Sequence, residues 1–364
     1  MKIKEIVSVL EEYAPKTWQE SYDNSGLLIG EPDQEIDKAL ITLDLTMEVL
    51  EEAMKADFGL IISHHPLIFS GLKSLTGKSE VERIVMKAVK HDVGIYAIHT
   101  NLDNVLQGVN GMLSRKLGIE NPRILRPLQG QLSKLVTFCP LEHAGSVREA
   151  LFSAGAGHIG NYDSCSYNLE GFGTFRAGEG TDPFVGEKGE LHKEAEARIE
   201  VIFPDHIKSR LLKSMMNAHP YEEVAYDIYP LKNDLPAAGA GVIGNFSEPM
   251  DEAAFISLLK TELGSPVIRH SKFIGKKVRT VAACGGSGSF LIRDAIASGA
   301  DAFITGDMKY HQFFEAEGKL LIADAGHYET EQFTKELIYN ILNEKFPTFA
   351  LRISHINTNA VHYM

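Results

Sequence analysis

Short apolar runs alternate with longer amphipathic segments in the first 120 residues. KALITLD, FGLIISHHP and VGIYAIHT are each typical of a buried strand, and helices are predicted between them at about 46–56 and 79–90. Continuous apolar runs indicate strands that are buried on both faces, and strand–helix–strand units give parallel sheets. This part of the chain is therefore predicted to be layered α/β structure.

The same rhythm returns near the end of the chain. KVRTVAACGG, DAFITGD and KLLIADAG are predicted strands, and they alternate with predicted helices at about 289–298, 309–317 and 328–343. We expect the two outer stretches to belong to one layered α/β core domain.

A segment of different texture separates the two stretches. Pro122, Pro127 and Gly130 punctuate one of its edges, and Pro230 and Pro236 punctuate the other. Between these edges the pattern predicts a strand in LSKLVTFCP, a helix at 143–154, strands near 161–168 and 171–176, a strand in ARIEVIFP, a helix at 205–217 and a strand in EEVAYDIYP.

That succession resembles the β-α-β-β-α-β order of the ferredoxin-like split motif. We therefore predict a discontinuous core, residues 1–127 and 233–364, interrupted by an inserted ferredoxin-like α+β domain at 128–232. The polar, glycine-rich segment from about 177 to 193 is expected to be a mobile hairpin or loop.

The composition is that of a folded, soluble protein, with 44% hydrophobic and 23% charged residues. The 364 residues carry a formal net charge of -13, whose field repels phosphate backbones, so nucleic acid is not expected as a partner. The three cysteines form no C-x-x-C pair, which argues against a disulfide framework or a zinc finger. With no signal-peptide pattern and no apolar run of about 18 residues, we expect a cytoplasmic protein without a membrane span.

Candidate metal ligands follow three of the predicted strands. His64 and His65 come directly after FGLIIS and before Pro66, which permits a turn that lets both rings face one site. Ligands collect outside the carboxyl ends of strands in open α/β sheets. A polar strand end explains the two histidines equally well when this motif is taken alone.

Two further strands end in similar residues. VGIYAIHTNLDN places His99 and Asp103 after a strand, although Asp103 could simply cap the next helix. KLLIADAG leads into His327 and Glu331, whose i, i+4 spacing puts an imidazole and a carboxylate on one helix face. Five such ligands exceed the three of a mononuclear catalytic site, which favours two divalent metal ions about 3.5 to 4 Å apart.

The motifs SHHP, HTNLD, GGSGSF, ITGD and GHYETE occur in the order seen in the Nif-three-like family. The chain resembles the YqfO branch of that family over residues 1 to about 125 and about 235 to 364. The resemblance implies an α/β core that assembles as a homohexameric ring, and an inserted domain similar to the PII and CutA regulators.

The resemblance also implies a ligand set and an activity. Many members are named GTP cyclohydrolase type-two homologues, which implies a hydrolase that acts on a nucleotide. The family's motifs assign a dinuclear metal site to His64, His65, Asp103, His327 and Glu331.

Other polar residues near the strand ends are candidates for contacts with the ligands or the substrate. His99 could orient a ligand or touch substrate, although a hydrogen-bonded histidine at a strand end explains it equally well. Asp307, Lys309 and His311 follow the strand DAFITG, where Asp307 could instead cap a helix and His311 could lie on a helix surface. Glu329 projects elsewhere on its helix than His327 and Glu331, and it could be an outward-facing surface residue rather than a further ligand. The loop GGSGSF could present backbone N–H groups to a phosphate, but a tight strand-to-helix turn explains its glycines equally well.

Two functional hypotheses follow, and a third, structural interpretation competes with them. The first is hydrolysis of a nucleotide or related phosphate compound with two metal ions, zinc first and iron, manganese or nickel as alternatives. The second is a metal-dependent regulator or metal carrier without turnover. A purely structural role explains each histidine separately, but not why ligand-type residues occur at three strand ends. We expect an enzyme, because five protein ligands over two ions leave coordination positions open.

Overall fold

The computed structural model describes all residues from 1 to 364. The chain forms two compact units. The core unit comprises Met1–Pro127 and Ala237–Met364, and the inserted unit comprises Leu128–Pro236. The second segment of the core unit thus begins at Ala237, four residues after the predicted start at 233.

The first stretch of the core alternates helices and strands. Thr46 and Ser79 begin two of the helices, where their hydroxyl groups accept hydrogen bonds from Val49 N and Glu82 N, as N-cap residues do. The elements are α1 (Ile3–Tyr13), a 3-10 helix (Lys16–Trp18), β1 (Gly26–Ile29), β2 (Lys38–Thr42), α2 (Met47–Lys55), β3 (Leu60–Ser63), α3 (Glu80–Lys90), β4 (Gly94–Ala97), α4 (Thr100–Asp103), α5 (Val109–Leu117) and β5 (Glu120–Leu128).

The inserted unit is a four-stranded antiparallel sheet with two helices. Its elements are β6 (Leu132–Pro140), a 3-10 helix (Leu141–His143), α6 (Ala144–Ser153), β7 (Tyr167–Arg176), β8 (Leu191–Pro204), a 3-10 helix (Asp205–Ile207), α7 (Lys208–Ala218) and β9 (Tyr226–Pro230). The strand order is β7-β8-β6-β9, and each pair of neighbours is antiparallel. Val147 and Leu211 of the helices pack against Ile199 and Val201 of β8, so the helices cover one face of the sheet.

The strands predicted near 161–168 and 171–176 are one strand, β7. Residues 157–165 instead form a turn, in which Cys165 N donates to Gly157 O and Ile159 and Tyr162 bond to each other. Gly157 has a φ of +80°, a conformation that favours glycine and ends the extended path.

The second stretch of the core completes two sheets. The predicted helix at 309–317 is a 3-10 helix, and the predicted helix at 328–343 is divided into two. The elements are β10 (Leu235–Asp251), α8 (Glu252–Leu263), β11 (Arg269–His270), β12 (Lys277–Ser287), a 3-10 helix (Ser289–Leu291), α9 (Ile292–Ala297), β13 (Ala302–Gly306), a 3-10 helix (Tyr310–Ala316), β14 (Leu321–Asp324), α10 (His327–Glu331), α11 (Thr334–Lys345) and β15 (Ala350–Ile353).

The core unit contains a five-stranded and a six-stranded sheet. The five-stranded order is β1-β4-β3-β2-β15, in which β15, β2, β3 and β4 run parallel. The six-stranded order is β11-β14-β13-β12-β10-β5, with β12, β13 and β14 parallel. The last strand of the chain therefore belongs to the sheet built by the first stretch.

Helices cover both faces of each core sheet. Residues of α1 and α11 pack on one face of the five-stranded sheet, and residues of α2 and α3 pack on the other. In the six-stranded sheet α5 and α8 lie on one face and α9 on the other. This two-sided burial explains why these strands are continuous apolar runs. No helix combines the length and the apolarity that crossing a bilayer requires.

Candidate metal centre

The parallel strands of the five-stranded sheet deliver three groups of side chains at their carboxyl ends. Asp44 follows β2, His64 and His65 follow β3, and His99 follows β4. The Ser63 hydroxyl donates to His65 O at 2.8 Å and turns the chain there. The rings of His64 and His65 consequently lie on the same side, with centroids 4.9 Å apart.

The six-stranded sheet delivers the remaining groups. Asp307 follows β13, and His327 and Glu331 lie at the two ends of α10, directly after β14. Asp103 ends the short helix α4, which follows β4 of the other sheet. The carboxyl ends of parallel strands from both sheets thus converge on one place.

All five predicted ligands meet there, and we name them the His/carboxylate cluster. The Nε2 atoms of His65 and His327 each lie 3.0 Å from Glu331 Oε2, and 3.3 Å from each other. On the other side, His64 Nε2 lies 3.6 Å from Asp103 Oδ1 and 3.9 Å from Glu331 Oε1. The cluster consists of His64, His65, Asp103, His327 and Glu331.

Each imidazole of the cluster is held by its Nδ1 atom. His64 Nδ1 donates to Ile98 O at 2.8 Å, and the Nδ1 atoms of His65 and His327 bond at 2.7 Å to the carboxylates of Asp44 and Asp307. A proton on Nδ1 leaves the lone pair of a neutral ring on Nε2. Neutral rings of this tautomer would offer three Nε2 lone pairs to a cation placed between them and the carboxylate oxygens, which would bind the same cation.

Two buried atoms of the cluster have no hydrogen-bond partner. His64 Nε2 and Asp103 Oδ1 face each other and are both unsatisfied. Leaving a buried polar atom unpaired costs roughly 1–3 kcal/mol, and more for a charged group. The donor set and these unpaired atoms fit a bound divalent metal ion.

The electrostatics of the cluster also call for positive charge. Burial opposes protonation of His65, but the carboxylates of Asp44 and Glu331 outweigh it and raise the pKa of His65 to about 10. Asp307 and Glu331 likewise outweigh burial and raise the pKa of His327 to about 11. Burial, reinforced by the nearby Glu331, raises the pKa of Asp103.

The glycines of the GGSGSF loop make room for the cluster. A Cβ atom on Gly286 would lie 2.2 Å from Glu331 Oε1, and one on Gly285 would lie 3.0 Å from Val109. The N–H groups of Gly285, Gly286 and Gly288 donate to side chains of the protein, namely Asn110, Thr330 and Thr305. These three N–H groups are therefore not a phosphate cradle.

A cavity of about 800 Å³ opens beside the cluster. Its only lysine or arginine is Arg269, which is already paired with Asp324 and bonded to Met308 O. The exposed rings of Tyr22 and Phe69 lie 6.3 Å apart at its wall. Its carboxylates are those of Glu20, Asp44, Asp103, Asp307, Asp324, Glu329 and Glu331.

The remaining predicted residues divide into two groups. His99 lines the cavity and bonds through Nδ1 to Asp23 at 2.7 Å, and Asp307 holds His327. Lys309 and His311 are exposed and do not line the cavity.

The expectation that Glu329 points outward is wrong. Its side chain is 4% exposed, accepts a hydrogen bond from the Asn359 amide and lies against Gly326, where the absence of a Cβ makes space. The tail that follows β15 thus covers Glu329, a long-range contact that helix periodicity does not encode.

Sequence reasoning missed Asp44 and Asp23. Asp44 had a signal, because it follows the predicted strand KALIT as the other site residues follow theirs. Asp23 had none, since it lies in the loop before β1 and meets His99 only through the tertiary fold. Burial opposes ionisation of Asp23, but hydrogen bonds, above all from His99, lower its pKa.

The fold and the cluster together place the chain among layered α/β proteins whose histidines and carboxylates could hold a metal ion. The sequence matches the Duf34/NIF3 (NGG1p interacting factor 3) family over residues 1–361, and the chain belongs to this family.

Relatives over nearly the full length agree with this assignment. The chain is 40% identical to the GTP cyclohydrolase 1 type 2 homolog of Halalkalibacterium halodurans, over 93% of each protein. It is 35% identical to the protein of the same name from Bacillus subtilis, over 99% of this chain and 98% of that protein. The crystal structure of a Bacillus cereus protein related to NIF3 superposes with a TM-score of 0.87 at 38% identity, over 100% of this chain and 99% of that one.

Proposed function

We propose that the protein is a two-metal hydrolase that acts on a nucleotide or a related phosphate compound. One observation carries the proposal: three imidazoles anchored through Nδ1 bring their Nε2 atoms to within 3.0–3.9 Å of carboxylate oxygens of Glu331 and Asp103. That arrangement is typical of metal-binding histidines and their supporting acceptors.

The five ligands divide into two sets that share Glu331. His65, His327 and Glu331 form one set, and His64, Asp103 and Glu331 form the other. The two oxygens of Glu331 face different sets, so Glu331 would contribute a ligand atom to each of them. Divalent ions in such a pair supply Lewis acidity and an activated water. Zinc is the proposed occupant, and iron, manganese and nickel suit the same ligands.

The surrounding residues position the ligands and the substrate. Asp44 and Asp307 fix the imidazoles of His65 and His327, and Asp23 fixes His99 so that its other nitrogen is free toward the cavity. We propose that His99 contacts the substrate. Tyr22 and Phe69 offer exposed aromatic faces on which a base could stack.

The names of the relatives and the lining of the cavity carry the choice of substrate class. The relatives are named GTP cyclohydrolase 1 type 2 homologs, which makes GTP the first compound to test. The cavity offers a phosphate no free cationic side chain, so binding of phosphate would depend on the charge of the metal ions.

Metal content and turnover test the proposal together. We would measure metals by elemental analysis in the wild type, in His65→Ala and in His91→Ala, whose exposed histidine follows α3 and is a matched control. The same preparations would be screened for turnover of GTP and other nucleoside phosphates. We expect about two ions per chain, a loss confined to His65→Ala, and turnover that depends on metal.

The outcomes separate the hypotheses. Absence of bound metal in all three proteins would exclude the metal site. Turnover of unrelated phosphate esters but not of GTP would exclude the cyclohydrolase reaction while leaving a hydrolase.

The second candidate is a metal-dependent regulator or metal carrier without turnover. Seven carboxylates line the cavity and its one arginine is ion-paired, a balance that favours a metal cation over an anionic substrate. Two bound ions with no turnover of any nucleotide would favour this candidate.

We further propose that the inserted unit has the ferredoxin-like fold of the PII and CutA regulators. Its β-α-β-β-α-β order and its strand order β7-β8-β6-β9 support this. Assembly as a homohexamer is a proposal from the resemblance alone, and light scattering after size exclusion would test it. Three free cysteines support the cytoplasm as the proposed location.

A further inference from the structure

A second cavity lies wholly within the inserted unit. It has a volume of about 620 Å³, within the range of small-molecule sites. Side chains alternate between the two faces of a strand, and Ala197 and Ile199 of β8 face the helices. Glu196 and Arg198 therefore lie on the opposite face, and both line the cavity.

Glu196 supplies a carboxylate that is only half satisfied. The residue is 9% exposed, and its Oε1 accepts a hydrogen bond of 2.8 Å from the Tyr221 hydroxyl. Its Oε2 accepts none. A Cβ on Gly173 would lie 2.1 Å from Oε2, so the glycine of the neighbouring strand leaves this oxygen its space. A nearly buried carboxylate oxygen without a partner favours a cationic donor.

Arg198 supplies a guanidinium that is also half satisfied. One terminal nitrogen pairs with Glu200 at 2.8 Å, while its Nε has no hydrogen-bond partner. The guanidinium carbon lies 5.9 Å from the ring centroid of Phe138, which keeps the group beside the cavity. That Nε is itself buried, so the second terminal nitrogen, which bonds to no group of the protein, is the donor that can reach the carboxylate of a ligand.

The walls of the cavity are aromatic. Phe175 and Phe184 each lie 6.3 Å from Tyr221, at interplanar angles of 59° and 52°. The loop that carries Phe184 is tied down, because Asp182 N donates to Glu222 at 2.8 Å. Rings placed in this way offer an apolar enclosure for a side chain.

We propose that this cavity binds a free α-amino acid with an apolar side chain. Glu196 takes the ammonium group, Arg198 takes the carboxylate, and the rings around Tyr221 enclose the side chain. Glu196 and Arg198 are residues i and i+2 of β8, so both side chains project from the same face of the sheet toward one ligand. The site is separate from the metal centre and does not depend on the proposed hydrolase activity.

Three compounds that share a phenyl ring on a two-carbon chain test the proposal by calorimetry on the full-length chain. L-phenylalanine carries both charges, 2-phenylethylamine carries only the ammonium, and 3-phenylpropanoate carries only the carboxylate. We expect phenylalanine to bind at least about tenfold more tightly than either analogue, because each analogue leaves one charged group of the site unpaired.

Matched variants assign the two ends. Arg198→Gln should abolish the preference for phenylalanine over phenylethylamine, and Glu196→Gln should abolish the preference over phenylpropanoate. Glu149→Gln makes the same charge change as Glu196→Gln, at an exposed position of α6, and should leave binding unchanged. Far-UV circular dichroism would verify that each variant is folded. If Glu196→Gln unfolds, Arg198→Gln still tests the proposal, because Arg198 is partly exposed and its replacement should be tolerated.

Several results would overturn the proposal. These are no saturable heat with phenylalanine, equal affinity for the three compounds, or unchanged preferences in Arg198→Gln. An equal loss of binding in Glu149→Gln would also overturn it, because net charge would then explain the effect.

Discussion

At the scale of single residues, the candidate metal centre depends on side chains that hold other side chains. Asp44 illustrates this, because one of its oxygens bonds to His65 Nδ1 and the other accepts from the Thr358 hydroxyl, both within 2.8 Å. An acceptor held at both oxygens can keep the imidazole in one orientation and one tautomer.

Asp44→Asn should therefore weaken metal binding without removing a ligand. We expect a loss of affinity of about 10–100-fold, the range typical of outer-shell partners of metal-binding histidines. Competition with a chromophoric chelator would measure it, and Asp37→Asn, at an exposed position, is the control. Equal affinities of the two variants would show that Asp44 has no such role.

Two features require glycine at position 286: a positive φ and the close approach of Glu331. Gly264 shares only the first of these features, so a comparison of the two positions separates their effects. Gly286 has a φ of +61° and lies against Glu331, whereas Gly264 has a φ of +62° with open space around it. Alanine should cost about 1–2 kcal/mol at Gly264 from backbone strain alone. At Gly286 the clash with Glu331 should add about 1–3 kcal/mol and reduce metal binding. Urea unfolding and metal titration of both variants would measure this, and an equal cost at the two positions would contradict it.

Strand ends were the most informative part of the sequence for the site. His64, His65 and Asp103 were found because they follow apolar runs, and the structure brings them together with His327 and Glu331. The same rule should have found Asp44. The requirement for glycine at position 286 could not be predicted in this way. A Cβ there would clash with Glu331, which lies far away in the sequence and approaches the loop only in the folded protein.

At the scale of elements, the sequence predicted buried strands and capped helices better than edges and short helices. The strands of the two parallel sets have continuous apolar runs because helices cover both their faces. By contrast β1 and β11 have four and two residues, and β7 alternates polar, aromatic and glycine residues at an exposed edge. Such strands are defined by pairing with a neighbour, which local pattern does not encode.

His219 links the end of α7 to the sheet of the inserted unit and should make its stability depend on pH. The buried ring donates from Nε2 to Phe138 O at 2.9 Å, and its Nδ1 accepts from Tyr221 N at 3.1 Å. Protonation of Nδ1 would remove that acceptor. Burial lowers the pKa of His219, more than the bond to Phe138 O and the charge of Glu196 raise it.

A folded-state pKa below the unfolded value of about 6.5 means that the folded state binds fewer protons. The contribution of neutral His219 to the free energy of unfolding is fully present above pH 6.5, and it is lost as the pH falls through the folded-state pKa. Urea unfolding of the full chain between pH 7.5 and 5 should therefore show a smaller loss in His219→Gln than in the wild type. Parallel curves for the two proteins would contradict the assignment.

At the scale of the whole core unit, the His/carboxylate cluster spans two sheets. His64 and His65 follow the five-stranded sheet, and His327 and Glu331 follow the six-stranded sheet. Each of the two ligand sets contains residues from both sides. A bound ion would therefore link two layers that are otherwise joined by packing, so metal binding should stabilise the core unit as a whole.

Metal removal should accordingly lower the free energy of unfolding. A ligand that binds only the folded state contributes about 2.7 kcal/mol at 100 times its dissociation constant, so each bound ion should add about that amount. Trp18, the single tryptophan, lies in the core unit, and its fluorescence would follow urea unfolding with zinc or with a chelator. His65→Ala should lose most of the zinc effect and His91→Ala should keep it. Coincident unfolding curves of the wild type in zinc and in chelator would refute a site that joins the sheets, whether or not the protein is an enzyme.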